Sequence, residues 1–394
     1  MSALHHRAHP VYAGMRTTIF EEMSALARAS GAINLGQGFP EDQGPSELVE
    51  AAARALKDRP HHYPPMAGVP ELRAAVAAFY QKQKLRLTPD QVIITSGATE
   101  ALAATIFALV RPGDEVLIFT PAYDAYAPLV RRAGGVPVLV PLEPPQWRYD
   151  SAKIAHALSP ATRLMIVNDP LNPTGTAMSA QERHLLASIC VQRDLIAICD
   201  DVWEEVRFDG QVHSPLMAEP GMAERTVKIG SAGKIFGLTG WKIGWLCASP
   251  DLAAMVSRAH QFLTFTTPPA LQYAVAEGLP QADVIARLQA RWAHGRDLLN
   301  TGLAAAGFGV LPGTCTWFSC VDLSASDIPI SGEEFARRSI AEAGVACIPV
   351  SAFDAEPSAG SIVRFCHCKP DALISKAVES LAAFGHRLRA QTSR

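Results

Sequence analysis

No stretch of this chain stays apolar for about 18 residues, the length a membrane-spanning helix needs. The strongest apolar run, 101–110, stops well short of it. Basic residues are not in excess: 35 Lys and Arg stand against 38 Asp and Glu, a net charge of −3. That balance lacks the electrostatic footprint of a phosphate-backbone binder, so neither nucleic acid nor membrane is expected as a partner. No Cys-x-x-Cys pair occurs among the eight cysteines, scattered from Cys190 to Cys368. Their pattern argues against a zinc knuckle or a disulfide scaffold, and reduced, mostly buried thiols are expected. The opening residues, MSALHHRAHPVY, lack the apolar centre of a secretory signal, so a cytoplasmic location is the expectation. Internal repeats and low-complexity linkers are absent as well.

What is present is an ordinary globular composition: 394 residues, 48% hydrophobic and 19% charged. A chain above about 300 residues can hide roughly three quarters of its extended surface. At roughly 100–200 residues per domain it should form about two to four domains or sub-domains. Short β-rich runs at 92–95, 115–120, 137–141, 163–168, 195–200, 226–230 and 243–248 are spaced along the middle of the chain. Several are continuously apolar, which suits strands covered on both faces. Helical stretches at 47–56, 71–82, 99–110, 123–133 and 181–192 lie among them, the last opened by a Ser179/Glu182 capping box. This alternation predicts an α/β layer fold with a mainly parallel sheet.

The rhythm changes near Gly278-Leu279-Pro280. A helix over 282–306, strands at 316–323 and 362–367, and a helix at 333–343 capped by Ser331 and Glu334 read as an α+β tail. The expected division is an N-terminal segment, 1–45, packing with a small domain, 279–394, and a large domain, 46–278, between them.

Four places carry chemistry. Val92-Ile-Ile-Thr-Ser-Gly-Ala-Thr-Glu100 reads as strand, small-residue turn and helix start. Free amides at Gly97, Ala98 and Thr99 could bind phosphate there, although many such turns are only turns. Lys234 follows a strand in Ser231-Ala-Gly-Lys and is followed by Gly-rich sequence through Trp245. Apolar neighbours could desolvate its amine for Schiff-base chemistry; the alternative is a solvated loop lysine. Asp200-Asp201 closes a strand at the edge where open α/β sheets hold ligands, or is merely a cap or surface acid. Asn172 lies in an Asn-Pro-Thr-Gly turn, where turn chemistry alone could explain it.

Together with Asn34-Leu-Gly-Gln-Gly-Phe-Pro40, Arg111-Pro-Gly-Asp-Glu-Val116, Asp200-Asp-Val-Trp203 and Val363-Arg-Phe365, these motifs form an ordered set over nearly the whole chain. The chain resembles the class I/II aminotransferases of fold type I, which use pyridoxal 5′-phosphate (PLP). NLGQGFP, GWKIGW and IPVSAF make it most similar to the branch of kynurenine/glutamine transaminases and bacterial methionine aminotransferases. The resemblance implies a mainly parallel seven-stranded sheet covered by helices, with a smaller α+β domain. It implies that Lys234 forms the Schiff base with the cofactor and later moves the substrate Cα proton. Asp200 would pair with the ring nitrogen, Asn172 with the ring oxygen, and Tyr123 would stack on the ring. Gly97, Ala98, Thr99, Ser231 and Lys242 would hold the phosphate. Tyr63 would reach it from a second copy, so a homodimer is implied. Arg364 would grip the substrate carboxylate, beside Gly38 and Asn172.

Two positions depart from the family. Trp203 stands where a tyrosine usually donates to the ring oxygen, and indole has a different reach. Trp317 replaces another common tyrosine and is expected to pack at the domain junction. The stretch 261–272, resembling a loop near the partner's site, has no Arg or Lys. That points to neutral or aromatic side chains as substrates, such as methionine, glutamine or kynurenine-like compounds, with a 2-oxo acid as acceptor. Phe20, Phe39 and Phe265 are candidate walls, and Arg16 could still greet an acidic acceptor. Three alternatives stand beside this reading: a succinyl-diaminopimelate-type transaminase, a PLP-dependent cysteine-conjugate C–S β-lyase, and a non-catalytic effector module. The last normally carries a DNA-binding segment ahead of the domain, and few residues precede NLGQGFP here.

Overall fold

The computed structural model describes residues 8–15, 17–353 and 360–392. The apolar runs form one seven-stranded sheet: β1 (Val92–Ser96), β2 (Glu115–Thr120), β3 (Val136–Pro141), β4 (Thr162–Asn168), β5 (Ile196–Asp200), β6 (Thr226–Ser231) and β7 (Ile243–Cys247). Its order is β1-β7-β6-β5-β4-β2-β3. All the strands run parallel except β7, which is antiparallel to both its neighbours. Continuous apolarity has a direct cause. Along β2, Val116 and Ile118 enter one buried cluster while Leu117 and Phe119 enter another on the opposite face. Side chains of a strand alternate between faces, so a sheet covered twice needs apolar residues at every position.

The helices that matter for the site are α1 (Ile19–Ser30), α2 (Gly97–Leu109), α3 (Tyr126–Arg132), α4 (Pro250–Leu263) and α5 (Pro269–Gly278). Helix α2 contains most of the strongest apolar run and is a core helix, with Ala101, Leu102, Ala104 and Ile106 buried. No described helix is long and apolar enough to cross a membrane.

A second, antiparallel sheet contains β8 (Phe318–Asp322) and β9 (Ile362–Cys366), with Ile348–Pro349 beside β9 and Gly309–Val310 beside β8. Ile33–Asn34 pairs in parallel with Val345–Ala346. Met23, Ala27 and Leu35 share a buried cluster with Leu299, Phe335 and Phe384. The long helices Ala282–Ala305 and Asp371–Thr392 pack on each other.

Several sequence-based expectations need adjustment. Helices α1, α4, α5 and Asp371–Thr392 are additional to those read from the sequence. Pro250 and Pro269 look like breakers in the sequence, but each sits at a helix start, where its missing N–H is harmless. The stretch 261–272 is therefore the end of α4, a short turn and the start of α5, not an extended loop. The helix expected from 123 begins at Tyr126, because the preceding turn is tied elsewhere: the Ala122 amide donates to the Phe353 carbonyl at 2.7 Å. The helix near 333 is Gly332–Arg338, and the chain then loosens into a π turn over Ser339–Ala343. The Ser179/Glu182 capping box is present. All eight cysteines are free and buried.

Candidate active site

The carboxyl edge of the parallel strands collects the functional side chains. Asn168 ends β4, Asp200 ends β5 and Ser231 ends β6, while Ser96 leads from β1 directly into α2. Lys234 follows β6 in the one-turn helix Ala232–Ile235, and Lys242 immediately precedes β7. Because β7 runs opposite to the others, its beginning lies at the same edge as their ends. These residues enclose a cavity of about 270 Å³, lined by Gly97, Ala98, Thr99, Tyr123, Asn172, Asp200, Trp203, Ser231, Lys234 and Lys242. A second space of about 270 Å³ shares Lys234, Asn172, Tyr123 and Trp203 with it, and adds Gly38, Phe318, Phe353 and Arg364.

The floor of the first cavity is close-packed backbone. A Cβ on Gly244 of β7 would lie 2.7 Å from the Gly97 carbonyl carbon and 2.9 Å from the Ala98 nitrogen. Gly97 has φ +74°, and a Cβ there would lie 3.2 Å from Lys242 Nζ. The start of α2 thus lies hard against the sheet, with a lysine ammonium beside it. A helix N-terminus and a nearby cation make an anion site.

Asp200 is buried. Its Oδ2 accepts from the Tyr126 hydroxyl at 2.6 Å, and its backbone carbonyl accepts from Asn168 Nδ2 at 2.7 Å. Its Oδ1 is buried without a partner and belongs to a residue lining the cavity. Burial pushes the carboxyl up to about 6, against the hydrogen bond from Tyr126. Lys234 is shifted the other way: burial lowers its ammonium to about 8. Its Nζ lies 4.7 Å from the Trp203 ring centroid and 5.1 Å from that of Trp317. Tyr123 stands edge-on to Tyr126 at 5.7 Å between centroids, its phenol raised by burial.

Trp203 packs edge-on against Trp317 at 5.0 Å and Phe318 at 5.3 Å. Trp317 in turn meets Trp292 edge-on at 5.2 Å, a cluster of three indoles at the junction of the two sheets. In the second space Arg364 is buried, and burial lowers its guanidinium to about 10. Its Nη1 donates to Asn172 Oδ1 at 2.9 Å and its Nη2 to the Gly36 carbonyl at 2.8 Å. Its Nε is buried without a partner. The guanidinium carbon lies 3.8, 4.9 and 5.6 Å from the ring centroids of Phe318, Phe353 and Phe20. Gly38 is required by Phe318, whose Cζ would come within 2.5 Å of a Cβ at that position.

Twelve of the thirteen residues singled out from the sequence therefore line one of the two spaces, and Tyr63 does not. Tyr63 is 85% exposed and meets Phe265 edge-on at 5.7 Å. Of the candidate walls, Phe20 lines the second space, whereas Phe39 and Phe265 do not. Arg16 lies outside the described residues. Residues that the sequence reading missed are Tyr126, Asn168, Asp124, Phe318 and Phe353. Tyr126 carries no local signal: it stands three residues after Tyr123, but the helix begins only at Tyr126, so helical spacing does not relate the two rings.

An unpartnered carboxylate oxygen, a desolvated lysine and an anion-binding helix start, arranged at the edge of a mainly parallel seven-stranded sheet, fit PLP. The architecture is that of the fold type I PLP-dependent enzymes. Within that class the chain belongs to the aminotransferase class I and II family, whose pattern it matches over residues 30–381. It is 41% identical over 386 residues to a probable N-succinyldiaminopimelate aminotransferase of Mycobacterium tuberculosis, covering 94% of this chain and 97% of that one. It is 38% identical to the methionine aminotransferase of Escherichia coli, covering 93% and 95% of the two chains. The solved structure of N-succinyldiaminopimelate aminotransferase from M. tuberculosis superimposes with a TM-score of 0.92 at 40% identity, covering 95% of this chain and 99% of that one. The protein is a PLP-dependent aminotransferase.

Proposed function

We propose that the enzyme moves the amino group of a neutral or aromatic L-amino acid, such as methionine, glutamine or a kynurenine-like compound, to a 2-oxo acid. The observation that carries this reading is the lining of the second space. Its walls are Phe20, Phe318, Phe353 and Trp203, and its cations among the described residues are Lys234 and Arg364, both already committed to other roles. A distal carboxylate would find no further described cation there and would meet the half-buried acid Asp124. N-succinyldiaminopimelate is a second candidate donor, supported by the 41% identity to a protein named for it.

In this reading the chain's residues divide the work. PLP, when bound, supplies an electron sink for the pair left at the substrate Cα. Asp200 Oδ1, which has no partner of its own, would accept from the ring nitrogen while Tyr126 holds Oδ2 and keeps the carboxylate from swinging away. Among the residues lining the cavity, Asn172 and Trp203 would border the ring, Tyr123 would stack on it, and Gly97, Ala98, Thr99, Ser231 and Lys242 would hold the phosphate. Arg364 turns its guanidinium fork to the α-carboxylate, a planar two-point contact that fixes which Cα bond faces the lysine. Lys234 Nζ would take the proton from the substrate Cα and hold it for return to the cofactor carbon on the far side of the shared nitrogen. An amine titrating near 8 is a better base at neutral pH than an ordinary lysine. Gly38 would line the substrate space by its backbone, with Phe318 packed where a side chain would otherwise stand.

The enzyme is proposed to act as a cytoplasmic homodimer, with Tyr63 serving the partner's site. Support comes from the exposure of Tyr63, Phe262 and Phe265, at 85%, 85% and 39%, which together leave aromatic surface uncovered. The division into an N-terminal segment (1–45), a large domain (46–278) and a small domain (279–394) is proposed on the same footing.

The test is the visible absorbance of the holoenzyme as single amino acids are added without an oxo acid. Loss of colour with methionine, glutamine or kynurenine, restored by a 2-oxo acid, is expected. Response to N-succinyldiaminopimelate alone would transfer the assignment to that donor. Release of ammonia and pyruvate from a cysteine conjugate with no acceptor would make it a lyase.

A further inference from the structure

Behind the cofactor cavity, and not lining it, lies a buried charged cluster that the reaction scheme above leaves unused. Lys228 on β6 is fully buried. Its Nζ lies 2.7 Å from Asp201 Oδ2 and 2.7 Å from Glu204 Oε2. Glu204 is also held by the Tyr80 hydroxyl and by Gln83 Nε2, each donating at 2.8 Å. Trp245 Nε1 donates to the same Tyr80 oxygen at 2.8 Å. Gly230, on the same strand, is what admits this chain of bonds: a Cβ there would lie 2.3 Å from Trp245 Nε1 and 2.5 Å from the Tyr80 oxygen.

Asp201 and Glu204 belong to the turn that begins with Asp200 and contains Trp203. Two backbone bonds close that turn, from the Glu204 amide to the Asp201 carbonyl and from the Val206 amide to the Trp203 carbonyl. A third fastens it to β6, from the Asp201 amide to the Ile229 carbonyl at 3.0 Å. Lys228 therefore grips both ends of the segment that presents Asp200 and Trp203 to the cavity.

The charge matters as much as the grip. Asp200 and Asp201 are adjacent buried carboxyls, and the negative charge of Asp201 favours protonation of Asp200. Asp201 itself is held below the usual carboxylate range by Lys228 and His213, against its burial. A buried ion pair of this kind is seldom the most stable way to fill a core; an apolar replacement of both partners often does as well. Its retention here has a specific use, because the ammonium balances two buried carboxylates of the same turn, one of which is the Asp201 charge that acts on Asp200.

We propose that Lys228 is a positioning residue of the cofactor site: through Asp201 and Glu204 it fixes the 200–206 turn and keeps Asp200 ionised toward the cofactor ring nitrogen. This rests on the reading of Asp200 as the partner of that nitrogen. The titratable groups facing Asp200 are Tyr126, Tyr123, Asp201 and Lys234. Those facing Lys228 are Asp201, Glu204, Tyr80 and the buried thiols Cys199 and Cys247.

The experiment is a titration of the apoprotein with PLP, followed by quenching of tryptophan fluorescence across pH, with thermal unfolding of each apo form recorded alongside. Asp200→Asn tests the underlying reading: it should weaken PLP binding at least tenfold, and unchanged binding would sink that reading alone. With that established, Lys228→Met should weaken binding at least tenfold. It should also move upward the pH below which binding is lost, because Asp200 then ionises later. Adding Glu204→Gln to Lys228→Met should bring that midpoint most of the way back, since one negative charge goes with the ammonium. A Lys228→Met protein with a lower unfolding temperature but an unmoved midpoint would reduce Lys228 to a structural residue and overturn the proposal. If Lys228→Met does not fold, Glu204→Gln alone carries the test in the opposite sense. Keeping the ammonium while removing a carboxylate should move the midpoint down, and an unmoved midpoint again overturns it.

Discussion

At the scale of single residues, the environment decides chemistry that residue type alone leaves open. Lys234 and Arg364 are both lowered by burial, to about 8 and about 10, but with different consequences. The lysine comes within reach of neutrality at physiological pH, whereas the arginine stays charged. Lys234→Ala should remove the absorbance band of the lysine-linked cofactor and abolish turnover, while the unfolding temperature of the apoprotein stays within a few degrees. Spectra and calorimetry of the purified variant check this. Arg364→Lys keeps the charge but loses the planar fork and its packing between three aromatic rings. Its kcat/KM for α-amino acids should fall by about 1.5–3 kcal/mol in transition-state terms, the value of a lost hydrogen bond to a charged group, with KM rising. An unchanged KM would remove Arg364 from carboxylate binding. The residues legible in the sequence were those whose role follows from local position: Asp200 at a strand end, Lys234 after a strand, Gly97 at a helix start. Tyr126, Phe318 and Phe353 were not legible. Each acts through a neighbour distant in sequence, as when the Tyr126 hydroxyl reaches Asp200 across 74 positions. Trp203 is the intermediate case: its departure from a family tyrosine was visible, but not its packing against Trp317 and Phe318.

At the scale of elements, the strands were the easiest to read, whereas two helices opened by proline went unread. Strands β2 and β5 are buried on both faces, so their apolarity is unbroken in the sequence. Helices α4 and α5 begin with proline, and α5 directly follows a second, Pro268, so the same signal that punctuates loops concealed two helix starts. The contact between α2 and β7 shows how little space the phosphate end of the site allows. Gly244 has no steric alternative, since a methyl group would press into the Gly97 carbonyl and the Ala98 amide at 2.7 and 2.9 Å. Real Cβ atoms do not sit that close to backbone, so the start of α2 would have to move. Gly244→Ala is therefore expected to raise the PLP dissociation constant at least tenfold, while donor preference at saturating cofactor stays the same. Fluorescence titration followed by steady-state kinetics at high PLP separates the two effects. A dissociation constant within twofold of the parent would mean that α2 accommodates the methyl group without disturbing the site.

At the scale of the whole molecule, the two sheets meet at a seam that should govern how the protein responds to acid. His367 follows β9, and its amide donates to the Trp317 carbonyl at 2.9 Å. Its carbonyl lies against Gly295 of the long helix Ala282–Ala305, where a Cβ would come within 2.4 Å. Its ring meets Phe208, beyond β5, at 5.7 Å. Buried at this crossing and near Arg296, the imidazole is driven down from 6.5 to about 3, and stays neutral in the folded state. Below pH 6.5 the unfolded chain binds a proton there that the folded chain refuses, so stability is lost as pH falls, by about 1.4 kcal/mol per unit. Asp200 acts in the opposite direction. Its carboxyl is raised from 3.8 to about 6, so between those values the folded apoprotein binds the extra proton and gains stability as pH falls. The two contributions oppose each other over the same range, and the parent apoprotein alone would hide both. Substitution separates them. Relative to the parent, His367→Phe should be stabilised on going from pH 7.5 to pH 5 by about 2 kcal/mol, because it has no proton to take up on unfolding. Asp200→Asn should be destabilised relative to the parent over the same interval. Urea unfolding of the apoproteins at the two pH values measures both differences. A His367→Phe difference that does not change with pH would mean that the imidazole is free to charge inside the fold, and that the seam is open to water.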